Sequence, residues 1–300
     1  MEPTPVQGRL IDARFELVEK CWGDVPLLFN HAVLCSVSLP YRNPGDHIRA
    51  WGRRCGSAQL RIEAGAISRS TGGFEEVGLP YGPRARLVLL HLCSEAVRTR
   101  NPVVEVADSF TRFARQLGLG TSGRNLRTLR DQVLRMSVAS MRLAQNHGDY
   151  CDQFQGPIFS KLRVSFPNDA GQLGLWSSVV SFSPDFYESL SHHAVPLRKE
   201  AIGALKHSSR ALDVYCWLAY RLWRVPSNDP VFLGWRTLRA QFGRPEQRLQ
   251  SFQRMFLKAL HQALMVYPQA DVDVENDGLL LHASAPPVPR LNRDQGLLVE

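Results

Sequence analysis

An order of structural elements that occurs twice along the chain is the feature that most restricts its fold. Residues 84–136 and residues 209–265 each show a helical run, a short apolar run typical of a strand, and two further helical runs joined by a turn. Alternating apolar and polar residues, typical of a β-hairpin, follow each copy. Helix, strand, helix, turn, helix and hairpin make up a winged helix in this order. The sequence therefore predicts a mainly α fold with small β-hairpins (α+β), built as tandem winged-helix domains.

The two hairpins are predicted from alternation and turn residues. In the second copy, residues 270–277 and 278–284 alternate around an Asn-Asp-Gly triplet at 276–278, and these residue types tolerate the positive φ angles of a tight turn. In the first copy, residues 139–146 and 160–166 are predicted as the paired strands.

These assignments divide the chain into four segments. The boundary between the two winged helices is predicted near 166–175, where the stretch PNDAGQ supplies turn residues. The segments are an N-terminal helix and irregular arm at 1–58, a first winged-helix domain at 59–170, a second at 171–284, and a flexible tail at 285–300.

A glycine pattern in the first copy offers a competing interpretation. Gly118, Gly120 and Gly123 match G-x-G-x-x-G, a signature of nucleotide-binding loops. Such a loop must follow a buried strand and open a helix, whereas this one follows the helical run that contains Phe113. Gly118 occupies the position where a helix end favours a left-handed residue. We therefore interpret the glycines as the turn between two helices.

The charge balance of the chain favours a polyanionic partner. Lys and Arg total 36 against 28 Asp and Glu, which gives a net charge of +8. Such an excess suits nucleic acid or an acidic membrane surface. No apolar run reaches the roughly 18 residues of a membrane span, and the N-terminus has neither a basic leader nor an apolar signal core. We therefore expect a cytoplasmic protein that binds double-stranded DNA and no membrane.

The last helix of the second copy has the chemistry of a recognition helix. Projection of residues 246–265 at 100° per residue places the apolar side chains on one stripe and polar or basic ones opposite. Arginine can pair with guanine and glutamine with adenine, while lysine and serine suit phosphate. The alternative is that this face is merely a solvated helix surface.

The last helix of the first copy is basic but mixed, since Asp131 lies among its outward residues. Backbone contact or a partner surface suits it as well as base readout. The residues predicted to contact DNA are Arg244, Gln247, Gln250, Ser251, Arg254, Lys258 and His261 in the second copy, and Arg124, Arg127, Thr128 and Arg135 in the first.

Catalytic and metal-binding patterns are poor. The sequence holds no H-E-x-x-H, no G-x-S-x-G, no complete phosphate loop and no C-x-x-C pair among its six cysteines. The adjacent His192 and His193 would point about 100° apart on a helix and could not grip one metal together. Trp217, Tyr220 and Trp223 have the helical spacing of core residues rather than of a platform for stacked bases. We expect a non-enzymatic protein with no cofactor and no bound metal.

Four long stretches resemble the RepA-type plasmid replication initiators. They keep the order of that family along most of the chain: residues 79–100, 182–197, 211–222 and 235–243. The resemblance implies a bacterial, plasmid-encoded initiator with tandem winged helices that binds repeated sites, called iterons, at a plasmid origin. It further implies that the protein helps to open the origin, recruits the host initiator and helicase, represses its own promoter and exchanges between monomer and homodimer.

Two alternatives or additions remain open at the level of sequence. A winged-helix transcriptional repressor that binds an operator without a replication role would show the same element order. Near the C-terminus, Gln295, Leu297 and Leu298 loosely resemble the peptides by which replication proteins bind the sliding clamp.

Overall fold

The structure divides the chain into two compact units. The computed structural model describes residues 4–19, 26–68, 72–146, 148–162, 179–244 and 247–289. Met1–Val37 and Val195–Glu300 together form one unit, here called the terminal unit, and Ser38–Ala194 form the other, the central unit.

Helices and antiparallel strands alternate along both units. The helices are α1 (Pro5–Glu19), α2 (Ala32–Ser36), α3 (Gly82–Thr99), α4 (Phe110–Gln116), α5 (Gly123–Val138), α6 (Pro184–His192), α7 (Lys199–Leu205), α8 (Ser209–Arg221), α9 (Trp235–Phe242) and α10 (Leu249–Met265). The strands are β1 (Leu27–His31), β2 (Ala50–Cys55), β3 (Ala58–Glu63), β4 (Ala66–Ser68), β5 (Phe74–Glu76), β6 (Val103–Glu105), β7 (Ser140–Asn146), β8 (Cys151–Pro157), β9 (Phe159–Leu162), β10 (Val179–Phe182), β11 (Ala194–Arg198), β12 (Val231–Gly234), β13 (Val272–Val274) and β14 (Gly278–Leu281).

The terminal unit contains the second winged helix as the sequence predicts it. Helices α8, α9 and α10 flank β12, and β13 and β14 form the hairpin, so that the sheet has the order β12-β14-β13 with all pairs antiparallel. A Cβ atom at Gly278 would lie 2.2 Å from the carbonyl oxygen of Leu233. The close pairing of β12 with β14 therefore requires glycine at position 278.

The N-terminal segment completes this unit. Helix α1 buries Leu10, Ala13 and Leu17, whose spacing of three and four residues makes one apolar stripe, and it contacts α7 and α10. Strand β1 pairs with β11, and α2 packs against α8. The arm predicted as irregular thus contains β1, α2 and β2, and the first two belong to the terminal unit.

The central unit contains the first winged helix with the same sheet arrangement. Helix α3, strand β6 and helices α4 and α5 follow the predicted order, and the sheet has the order β6-β10-β9. Strands β9 and β10 therefore occupy the wing position that β13 and β14 occupy in the terminal unit. Residues 163–178, between β9 and β10, lie outside the described residues.

The central unit has a second sheet, formed by two strands that precede α3 and two that follow α5. Strands β7 and β8 form a hairpin, and β7 also pairs with β3, which gives a four-stranded sheet of order β2-β3-β7-β8. The predicted pairing of 139–146 with 160–166 is therefore wrong: the first segment pairs with β3 and β8, and the second pairs with β10. Alternation identified the strands but not their partners.

The predicted domain boundary near 166–175 also differs from the division in the structure. Strand β10 pairs with β6 and β9, so the central unit continues through the wing and α6. In the sequence, the turn residues at 167–172 fall between the two wing strands.

The tail predicted at 285–300 is packed at its start. The Tyr267 hydroxyl donates a hydrogen bond to the Ala285 carbonyl (2.8 Å) and Val288 is buried, so the start of the predicted tail packs on the terminal unit.

The glycine-rich stretch joins two helices, as predicted. Gly118 follows α4 with a φ of +67°, and Ser122 caps α5 by accepting a hydrogen bond from the Asn125 amide. The nucleotide-binding interpretation is thereby excluded for this loop, because helix α4 precedes it where a strand is required. Among the residues that the structure describes, no helix is long and apolar enough to cross a membrane.

Candidate nucleic-acid interface

Helix α10 presents a polar stripe opposite a fully packed apolar one. Phe252, Phe256, Leu260 and Ala263 are buried, as the projection predicts, and Ala259 is buried beside them, while the predicted Leu249 and Leu264 are half-buried. On the opposite side Gln250, Arg254, Lys258 and His261 are exposed, and Ser251 is half-buried. A separation of eleven residues makes this stripe about 16 Å long.

Aromatic packing holds the helix in place behind this stripe. The Phe256 ring lies 5.3 Å from that of Phe242 and 5.4 Å from that of Phe252, measured between centroids, and it meets Trp235 edge-on at 6.3 Å. The Trp235 indole nitrogen donates a hydrogen bond to the Asn276 carbonyl in the wing (2.9 Å). The polar stripe is therefore carried on a rigid core that also anchors the hairpin.

The start of this helix differs from the sequence prediction. Helix α10 begins at Leu249, three residues after the predicted start, and Arg248 occupies its N-cap position and is exposed. N-terminal residues of a recognition helix are those that contact base edges. Arg248 is therefore a candidate DNA contact that the projection from 246 missed, because the early start placed it on the wrong face.

Gln247 is buried, and its predicted outward placement is wrong. Its side-chain amide nitrogen lies 3.7 Å from the Met255 sulfur, and its backbone carbonyl accepts a hydrogen bond from the Arg239 guanidinium (3.1 Å). The residue lies in the turn ahead of α10, where the helical angle of 100° per residue does not apply. Arg244, in the same turn, is exposed.

Helix α5 of the central unit has a basic outward surface, although its sequence mixes basic and acidic residues. Arg124, Arg127 and Arg130 are exposed, while Thr128 is half-buried and donates a hydrogen bond to the Arg124 carbonyl (2.9 Å). Asp131 accepts hydrogen bonds from Arg135 and Gln132, so its charge is compensated on the inner side of the helix. The outward surface of α5 is therefore basic.

Arg135 is buried, and the prediction that it faces outward is wrong. Its guanidinium donates hydrogen bonds to Asp46 (2.9 Å), Asp131 (2.9 Å) and the Leu79 carbonyl (3.3 Å), and it lies over the Tyr81 ring. The hydrogen bond and the charge of Arg135 lower the pKa of Asp46. Position 135 faces the 79–81 segment of its own unit, which the periodicity of α5 alone does not reveal.

The Arg135→Ala variant tests this structural assignment. We expect the free energy of unfolding to fall by about 1–2 kcal/mol, because a buried guanidinium network is lost while its carboxylate partners remain in solvent. The Asp46 pKa is lowered in the folded state, so its share of this stability is present above about pH 4 and disappears as the pH falls further. Denaturant unfolding measured at pH 7 and pH 3 should show the difference between variant and wild type narrowing in acid.

Arg124→Ala, an exposed change on the same helix, is the control for that experiment. Its unfolding free energy should stay within about 0.5 kcal/mol of wild type. Equal stability of the Arg135→Ala variant and the wild type at pH 7 would contradict the assignment.

The remaining candidate residues divide between core and surface. Trp217 is buried against Phe242 with ring centroids 5.3 Å apart, while Tyr220 and Trp223 are half-exposed and the Arg224 guanidinium lies 3.8 Å from each ring. His192 and His193 each contact a carbonyl oxygen four residues earlier, on Glu188 and Ser189.

One group of potential metal ligands occurs in the described part of the chain. Strand pairing in the terminal wing brings Asp271, Asp273 and His282 together, with ligand atoms within 4.8 Å of one another. His282 contacts the Asp273 carboxylate at 3.0 Å. Both aspartates are exposed and His282 is half-buried; exposed acidic groups are common without an ion, and we assign no metal to the three residues.

The fold and these surfaces define a class: tandem winged-helix proteins with a basic last helix in each unit. A family model, plasmid-encoded RepA protein, matches residues 79–235, which is more than half of the chain. The chain therefore belongs to the plasmid-encoded RepA family and is a RepA-type replication initiator. The matched region ends at Trp235, so the assignments on α10 rest on the geometry of this chain.

Two solved structures are similar to this chain. The crystal structure of domains 2 and 3 of RctB matches with a TM-score of 0.50 and 10% identity, over 83% of this chain and 94% of that one. Selenomethionine derivatives of the same two domains match with a TM-score of 0.47 and 12% identity, over 89% and 95%. At 10% identity the likeness to the first structure concerns the fold alone. No curated protein matches the chain.

Proposed function

We propose that this protein is a non-enzymatic, sequence-specific DNA-binding protein that binds repeated sites, the iterons, at a plasmid origin. In this proposal it promotes opening of the origin, recruits the host initiator and helicase, and represses its own promoter in the bacterial cytoplasm. Homodimerisation and a sliding-clamp contact through Gln295, Leu297 and Leu298 are parts of the same proposal. Those three residues lie outside the described residues.

The exposed stripe of α10 is the observation that carries this proposal. Arg254 and Gln250 lie one turn apart on a helix whose other face is buried, and Arg248 precedes them at the N-cap. Arginine donates two hydrogen bonds to guanine O6 and N7, and glutamine pairs with adenine N6 and N7. No carboxylate occurs within α10, so nothing on the helix repels phosphate. The terminal unit is therefore assigned most of the base readout.

The central unit is assigned contacts to the DNA backbone. Helix α5 exposes Arg124, Arg127 and Arg130, while Asp131 is directed to Arg135. The exposed stripe of α10 combines arginine with Gln250, whereas the exposed side of α5 is chiefly arginine. Arginine suits phosphate contacts, which position a protein on DNA without reading its sequence. In this proposal the winged helix of the central unit positions the protein on the DNA backbone, and that of the terminal unit reads the base sequence.

Steep salt dependence is the expected signature of this arrangement. If roughly 6–10 phosphates are engaged, the affinity for duplex DNA should fall by about 10³ or more between 50 and 200 mM salt. Fluorescence anisotropy with a labelled duplex over that range gives the slope. A flat response would exclude a mainly electrostatic footprint.

A footprint on the DNA that flanks the gene is the experiment that tests the proposed function. Evenly spaced protected repeats are expected for an iteron-binding initiator, and absence of protection contradicts it. Supplying the gene in trans to a replicon that carries only the origin then separates the two winged-helix functions. Persistence of the replicon is expected, whereas its loss together with protection of a single operator identifies a transcriptional repressor.

A further inference from the structure

The four-stranded sheet of the central unit has one buried face and one open face. Leu60, Ile62, Met141, Leu143 and Phe154 are buried on one side. Side chains alternate along strands, so the residues between them point the other way. They form the open sheet face: Gly52, Arg54, Gln59, Arg61, Glu63, Ser140, Arg142, Ala144, Gln153 and Gln155.

Positive charge is concentrated on this face by the strand register. Arg61 lies directly opposite Arg142 across β3 and β7, a like-charge pair that is unfavourable unless an anion is near. The Glu63 carboxylate partly neutralises this pair, since its Oε1 accepts hydrogen bonds from Arg61 at 2.7 Å and from Arg142 at 3.3 Å. Arg54 adds a further guanidinium on β2, and its Nε donates to the Gly56 carbonyl (3.2 Å). Three guanidinium groups thus face one carboxylate.

The open sheet face is hollow at its centre. Gly52 and Ala144 form part of the lining of a depression of about 470 Å³, with arginines and glutamines around them. Small residues allow an anion to approach the sheet closely, and the surrounding guanidinium and amide groups can donate hydrogen bonds to it.

The residue types on the open sheet face indicate which kind of polyanion can bind to it. None of its residues is aromatic, so it offers no platform on which the bases of a single strand could stack. It also lacks the apolar core of a protein interface, because the residues around Gly52 and Ala144 are mainly arginines and glutamines, and the larger apolar Pro157 lies on the edge strand. Guanidinium and amide groups around a hollow are the groups that contact phosphate oxygens in duplex complexes.

We propose that the open sheet face binds the sugar-phosphate backbone of duplex DNA through Arg54, Arg61 and Arg142. This inference rests on the proposed DNA-binding function and adds a third contact outside both helix-turn-helix units. The contact is independent of base sequence, so it extends the footprint without changing the preferred site.

The Arg54→Gln/Arg61→Gln variant of the full chain tests the proposal. We expect the slope of log affinity against log salt to decrease by about 0.9 for each lost phosphate contact, nearly two in total. At fixed salt the affinity should fall roughly tenfold, and equally for the origin fragment and a random duplex of the same length. The Arg54→Lys/Arg61→Lys variant, which keeps the charge, should retain most of the affinity.

Arg14→Gln/Arg98→Gln is the matched control, because it removes one exposed arginine and one that is paired with a nearby carboxylate. A wild-type slope in the Arg54→Gln/Arg61→Gln variant, or an equal decrease in the control, overturns the proposal. Failure of the wild type to bind DNA would instead contradict the proposed function itself. Circular dichroism of each variant verifies that its fold is intact.

A photo-crosslinking residue at Gln153 gives a second readout that does not depend on charge removal. Gln153 is exposed and lines the same depression. Crosslinks to the DNA strands are expected. Crosslinks only to an acidic protein from the host replication machinery, with none to DNA, would overturn the proposal in favour of a protein partner.

Discussion

The Phe256→Ala variant is expected to lose about 3–5 kcal/mol of stability in the terminal unit. Phe256 is fully buried and its ring contacts Trp235, Phe242 and Phe252, so alanine leaves a cavity at the junction of α9 and α10. The chain has two units and its global unfolding need not be two-state. Hydrogen exchange of α8 and α10 therefore measures the effect better than a single melting curve.

Met255→Ala, at the adjacent position, is the control for this prediction. Its side chain is 40% exposed, and its removal should change exchange in α10 by less than about 0.5 kcal/mol. If both variants exchange at the wild-type rate, the aromatic cluster does not hold α10 in place, and the assignment of a rigid core behind its polar stripe is wrong.

The Arg254→Ala variant is expected to lose about 1–3 kcal/mol of binding free energy on the specific site and to discriminate less between sequences. Arg254 is exposed at the centre of the α10 stripe, where it can reach a base edge. Competition binding of the specific fragment against random duplex measures both quantities. Equal losses on the two DNAs would contradict its role in base readout.

Two further variants sharpen that measurement. Arg254→Lys keeps the positive charge but not the two-pronged geometry, so it should retain affinity for random DNA while losing discrimination. Arg127→Ala on α5 should weaken binding to all duplexes evenly, because we assign this residue to the backbone. A loss of sequence preference in Arg127→Ala would move base readout into the central unit.

Local periodicity predicted the helices of the two repeated segments and most of their strands, but not α2, α7 or which strands pair. The apolar spacing of Phe252, Phe256 and Leu260 identified the buried side of α10 because that spacing is a property of the helix itself. The pairing of β7 with β3 joins residues about eighty positions apart. Nothing in the alternation of residues 139–146 distinguishes that partner from the nearer strand β9.

The candidate site shows the same division between local and distant information. Arg254 and Lys258 were placed correctly by helix projection, since both lie well inside α10. The projection placed Gln247 and Arg135 incorrectly on the outward surface. One lies in the turn ahead of its helix, and the other is bound by Asp46, which is remote in sequence. The arginines of the open sheet face were missed because their common surface exists only once four strands have paired.

The order of synthesis gives the two-part composition of the terminal unit a kinetic consequence. Its first segment leaves the ribosome well before its second, since Ser38–Ala194 is made in between. At about 5–20 residues per second, this interval lasts roughly 10–30 s. During this time Leu10, Ala13 and Leu17 lack α7 and α10, the two helices against which α1 packs, because these have yet to be translated. The central unit can therefore finish folding first. The N-terminal helix packs into the terminal unit only after α7 and α10 have been translated.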